Sequence, residues 1–84
     1  MPDERSPVQH AIAMRRVDPD TNVARFYVLT LERDLFGYFA VTRQWGRVST
    51  AGRVITEPFA TELEAAEAMG RLAAVKRRRG YQDL

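Results

Sequence analysis

Near residue 60 the hydrophobic rhythm of this chain changes, and that change decides most of what the chain can fold into. Upstream, Val8, His10, Ile12 and Met14 fall on alternate positions, the spacing of one face of a strand. Downstream, Ala65, Ala66, Met69, Leu72 and Ala73 recur at three and four, the spacing of one buried helical stripe. Strands in succession followed by a single helix specify an α+β fold. We expect a small antiparallel four-stranded β-meander with one C-terminal helix packed on one face.

Turn signals place the elements. The first strand runs from Val8 to about Val17, and "DPDTN" at 18–22 then presets a turn, since Pro holds φ and Asp and Asn bond locally to the backbone. "ARFYVLTLER" (24–33) is rich in aromatic and β-branched residues and pairs with the first strand as a hairpin. After "DLFG", "YFAVTRQWGRV" is a third strand, and "STAG" turns the chain into "RVITEPF", a fourth. Thr61 and Glu64 stand in capping-box spacing at the start of "TELEAAEAMGRLAAVKRR". Gly70 inside this run costs about 1 kcal/mol against Ala, which suggests close approach of helix to sheet. Gly80 is a natural stop. Residues 1–7, ending in Ser6-Pro7, read as a flexible arm, leaving 8–84 as a single domain.

Composition narrows the function classes. A chain of 84 residues with 45% hydrophobic content can form one modest core. No apolar run approaches the ~20 residues that a bilayer span needs. The opening "MPDERSPVQH" is acidic and polar where a signal peptide would be basic and then apolar, so a cytoplasmic location is expected. Cysteine is absent, which excludes disulfides and thiolate metal sites. With a single His, no glycine-rich phosphate loop and no metal-ligand spacing, no catalytic residues, metal or cofactor are expected. The net charge is only +2, yet the cations are almost all Arg, with Lys76 the single lysine. Arg suits bidentate phosphate contacts, and GC-rich coding gives the same bias.

The candidate site is "TRQWGRVSTAG" (42–52), which holds the only tryptophan. In an extended segment Arg43, Trp45 and Arg47 share one face. A flat ring between guanidinium groups suits a sugar or base bordered by phosphates. It equally suits a packing layer, with Trp45 against Tyr38, Phe39 or the helix, and Arg47 paired to Glu57 across the hairpin. Gly46 provides backbone geometry, as a bulge or a positive φ. Arg25 sits beside Phe26-Tyr27 and is a candidate phosphate contact. The run Lys76, Arg77, Arg78, Arg79 complements the helix dipole and can also present some of its cations to a ligand. Tyr81 is either a closing core contact or a second stacking surface. His10, on the apolar parity of the first strand, reads as a satisfied or edge histidine.

The chain resembles the WGR domain, named for the tripeptide standing here as Trp45-Gly46-Arg47. "ARFYVLTL" is similar to that family's "K-F-Y-x-x-Q-L" strand, and "GYFAVTRQWGRV" to the aromatic strand leading into the motif. The helix from Thr61 through "KRRRGY" matches too, with Lys76 and Tyr81 at expected places, so the resemblance spans about residues 8–82. It implies a small antiparallel sheet with one helix. It also implies DNA binding near a break, as in DNA-dependent poly(ADP-ribose) polymerases, where the motif Trp packs on a terminal sugar and the motif Arg connects domains. The chain looks like the small stand-alone bacterial type. Ser49 departs from the family's usual Gly after "WGRV".

The functional expectation is a non-enzymatic nucleic-acid-binding module with DNA preferred over RNA. The residues expected to carry it are Arg25, Arg43, Trp45, Gly46, Arg47, Lys76, Arg77 and Tyr81. Phosphate contacts supply the affinity, and ends, nicks or single strands are preferred over intact duplex. The alternative is a protein-interaction module that uses the same Trp/Arg surface for a partner or a second copy.

Overall fold

The computed structural model describes residues 8–84, so the arm expected over 1–7 lies outside the described residues. The elements are β1 (Val8–Asp18), β2 (Val23–Arg33), β3 (Phe39–Arg47), β4 (Arg53–Phe59), α1 (Glu62–Arg78) and β5 (Gln82–Asp83). All strands pair antiparallel in the order β4-β3-β2-β1-β5. The four expected strands form a meander, and the fifth is a short addition beside β1.

The register follows from the turns. Asp18 caps the first turn by accepting a hydrogen bond from the Asp20 N–H at 3.0 Å. Asp34 holds the second by accepting from the Phe36 and Tyr38 N–H groups, both at 2.9 Å. The β2–β3 ladder is bounded by Asp34 N–H to the Tyr38 carbonyl at 2.8 Å and Val48 N–H to the Ala24 carbonyl at 2.9 Å. Hydrogen-bonded pairs alternate along an antiparallel ladder. The even-numbered residues of β3 therefore bond to β2, and the odd-numbered ones bond to β4.

One sheet face is covered. Met14, Tyr27, Leu29, Leu31 and Val41 point toward α1 and join Ala65, Met69, Ala73 and Tyr81 in the core. Complete burial of Met14, Leu29 and Leu31 stabilises the fold by about 1.5–3 kcal/mol each. The helix rests on β2, β3 and β4. Its stripe differs from expectation at one position: Ala66 is exposed and Ala68 is buried. Ala65, Ala68, Met69 and Ala73 line the packed side, and the alanines let the helix approach the sheet. Gly70 does not have that role, since it is exposed and an added Cβ would meet nothing within 4 Å.

Both helix ends are capped. Thr61 is extended and its Oγ1 accepts from the Glu64 N–H at 3.1 Å. At the other end, the Gly80 N–H donates to Arg77 O and the Tyr81 N–H to Lys76 O, both at 3.1 Å, with Gly80 at φ +95°. This is a Schellman motif, and glycine adopts its left-handed residue without steric cost. The motif turns Tyr81 back into the core and feeds β5, whose register sets Met14 against Asp83 and Arg15 against Gln82. No propensity marks two residues as a strand. The helix stop and the vacant edge of β1 create it.

Candidate nucleic-acid interface

The cross-strand register assembles the site. One row on the helix-side face runs Met14, Tyr27, Trp45, Arg53 across β1 to β4. The next row, beyond the helix end, runs Arg16, Arg25, Arg47 across β1, β2 and β3. Arg25 and Arg47 form a non-hydrogen-bonded pair, the kind in which side chains lie closest. Like charges directly opposite one another destabilise a sheet. Among the described residues the ion pairs are His10–Glu62 at 3.8 Å and Arg77–Asp83 at 2.8 Å, so none of the three arginines is ion-paired, and the carboxylate sharing their cleft is Asp18.

Trp45 is half-buried at the margin of the core. Its ring lies 6.4 Å from that of Tyr27 at 37°, and the Arg43 guanidinium carbon sits 5.8 Å from its centroid. The expected packing on Tyr38 is not seen: Tyr38 is exposed at the opposite end of β3. Nor does Arg47 meet Glu57, which stands opposite Val41. Arg43 is half-buried between Trp45 and the Tyr27 phenol, where burial raises the Tyr27 pKa and the charge of Arg43 opposes the rise.

The turn after the motif holds the strand end in place. Thr50 donates through both its N–H and its hydroxyl to Arg47 O, at 3.1 and 2.7 Å, and Gln44 Nε2 donates to Ala51 O at 2.7 Å. Gly46 lacks a positive φ. An added Cβ would stand 2.8 Å from the Gly52 Cα, so close backbone approach is what Gly46 permits. Gly52 has φ +72°, and a Cβ there would come within 2.1 Å of Trp45 O. Ser49, which follows Val48 in this turn, also takes a left-handed φ of +76°.

The helix adds the upper wall. Lys76 Nζ lies 4.7 Å from the Tyr27 ring centroid and 5.5 Å from that of Tyr81. Burial, then the positive fields of Arg79 and Arg43, lower its pKa. Tyr81 is buried, edge-on to Tyr27 at 6.1 Å, so the core alternative for it holds. A cleft of about 440 Å³ opens between helix end and sheet, lined by Arg16, Asp18, Arg25, Lys76, Arg79 and Tyr81. The helix C-terminus carries the negative end of the dipole, so an anion here is held by side chains.

Of the residues singled out from sequence, Arg25, Arg43, Trp45, Arg47, Lys76 and Tyr81 converge on this end of the helix-side face, and Gly46 supports them from within β3. Arg77 does not join them. Its Nε and Nη2 donate to the Asp83 carboxylate at 2.9 and 2.8 Å, clamping β5 to the helix. Arg16 was not anticipated, and Arg79 was considered only as a member of the 76–79 run. Arg16 falls opposite Arg25 because the turn closes on the Asp18–Val23 pair; a turn over all of 18–22, as read from sequence, would have set it opposite Ala24. Among the described residues no group of His, Cys, Asp or Glu is arranged to hold a metal ion, and no helix is long and apolar enough to cross a membrane.

A family model described as the WGR domain matches residues 10–84. A curated relative, the uncharacterized protein y4dW of Sinorhizobium fredii (strain NBRC 101917 / NGR234), is 36% identical over 73 residues. That match covers 87% of this chain and 36% of the relative, so the chain spans about a third of the relative's length.

Proposed function

The chain belongs to the WGR family, and from that premise we propose that it is a non-enzymatic nucleic-acid-binding module acting in a reducing cell interior. The observation that carries the reading is the row Arg16, Arg25, Arg47 beside a half-buried Trp45. Three guanidinium groups across three adjacent strands repel one another until an anion bridges them. A phosphodiester backbone supplies successive anions. Trp45, with Arg43 behind it, offers a ring edge and face on which the sugar or base of a chain terminus rests. Lys76 and Arg79 close the cleft above. Affinity then comes from phosphate contacts, with little base readout, because α1 holds neither Asn nor Gln and the exposed face of its first half is acidic, with Glu62, Glu64 and Glu67. DNA ends, nicks and single strands are the preferred ligands, since an intact duplex leaves no terminal sugar or base for the ring.

The test is a titration of labelled blunt duplex, nicked duplex, single-stranded DNA and matched RNA at two salt concentrations. Binding is expected to favour termini and to weaken steeply with salt, each lost phosphate contact flattening the log–log slope by about 0.7–0.9. Loss of stacking in Trp45→Ala is expected to cost about 1–3 kcal/mol. A folded Trp45→Ala/Arg47→Ala variant that binds as wild type would reject the site.

A further inference from the structure

The free edge of the sheet carries its own pairing information. β4 is one of the two outer strands, β5 being the other, and no described segment covers its far side. The ladder parity gives Arg53, Ile55, Glu57 and Phe59 to β3. The N–H and carbonyl groups of Val54 and Thr56, with the Pro58 carbonyl, therefore face outward. Val54 and Ile55 are 58% and 45% exposed, one on each face of the strand, so each side of this edge carries an apolar side chain beside free backbone hydrogen-bonding groups. Arg53 and Glu57 are exposed on the helix-side face, and neither has an ion-pair partner among the described residues.

We propose that β4 pairs antiparallel with β4 of a second copy of this chain, about a two-fold axis at Ile55. In that register Val54 and Thr56 exchange both backbone hydrogen bonds with Thr56 and Val54 of the partner. Ile55 meets its own copy in the close, non-hydrogen-bonded position. Arg53 falls opposite the other copy's Glu57, and the symmetry makes that ion pair twice. Neighbouring registers are poorer. Centring on Thr56 sets Val54 against Pro58, which cannot donate, and moves Arg53 away from Glu57. Centring on Val54 runs the strand into the Gly52 turn. The pairing is isologous and closed, since it consumes the same edge on both copies. It joins two five-stranded sheets with both cationic faces on one side, at opposite ends, so one nucleic acid can engage both.

Sedimentation equilibrium of the full chain without nucleic acid tests this. A reversible monomer–dimer equilibrium is expected, weak because the contact is a single strand. Val54→Pro removes an outward N–H and leaves the β3 ladder intact, and it is expected to abolish the dimer while circular dichroism shows a folded chain. Arg53→Glu and Glu57→Arg each place like charges opposite one another and are expected to lower the association constant about tenfold. Mixing these two variants restores opposite charges in both pairs, so a heterodimer of wild-type affinity is expected. The proposal is overturned by a wild-type chain monomeric at every concentration, by a dimer that survives folded Val54→Pro, or by the absence of recovery on mixing.

Discussion

Replacing Gly52 by Ala tests the reasoning about the motif turn, because two separable costs meet there. Gly52 has φ +72°, where an L-residue loses about 1–2 kcal/mol. The new Cβ would also lie 2.1 Å from Trp45 O, 2.8 Å from its carbonyl carbon and 2.9 Å from Phe26 Cζ. That carbonyl belongs to the first β3–β4 rung, so it moves only if the hairpin opens, an overpacking cost of about 1–3 kcal/mol. The sum is roughly 2–5 kcal/mol, against about 4–13 kcal/mol for a domain of 84 residues. At about 4–8 °C per kcal/mol the midpoint falls by roughly 8–40 °C. Gly80→Ala is the control. It shares the left-handed backbone, but its nearest neighbour would be Arg16 Nε at 3.8 Å, so only the conformational cost of about 1–2 kcal/mol applies. Gly70→Ala, in open space on the helix, is expected to stabilise by about 1 kcal/mol. Thermal and urea unfolding by circular dichroism, with Trp45 fluorescence in parallel, ranks the three. A Gly52→Ala protein as stable as Gly80→Ala, or a destabilised Gly70→Ala, would refute the steric account.

Three further outcomes are expected. Arg25→Gln removes the middle charge of the Arg16–Arg25–Arg47 row, so in low salt it should raise stability by about 0.2–1 kcal/mol while weakening oligonucleotide binding; equal melting of variant and wild type at low salt would remove the repulsion argument. Ser49→Gly relieves a left-handed serine (φ +76°) at the cost of a more flexible unfolded chain, a net gain of up to about 1 kcal/mol readable as a higher urea midpoint. The Arg77 guanidinium, bonded to Asp83, holds the Asp83 carboxyl below the usual aspartate range. A depressed folded-state pKa contributes stability above the unfolded value that is lost as pH falls through the folded one. Carboxyl NMR should therefore find Asp83 titrating below ~3.9, and Arg77→Ala should return it there.

Much of this architecture was legible in the residues. Alternation gave the strands, the three-and-four spacing of Ala65, Met69 and Ala73 gave the helix, and Thr61 and Gly80 marked its ends. The shared face of Arg43, Trp45 and Arg47 also needed only the period of an extended chain. Partners across strands were less accessible, because a register depends on loop lengths and on which backbone groups close each turn. Arg47 was given Glu57 as a neighbour, whereas the register brings Arg25 beside it and Glu57 beside Val41. Arg77 and Arg79, two residues apart, illustrate the same limit: one is bonded to Asp83 and the other lines the cleft.

What the sequence determined by itself is local: where each element begins and ends, which side chains share a face, and that this chain carries the WGR pattern. Those properties depend on backbone periodicity and short-range sterics, which a one-dimensional string contains. The tertiary structure decided which cations go unanswered and which are neutralised. That outcome depends on distances between strands and on where the helix end settles over the sheet, and charges interact through space whatever their separation along the chain.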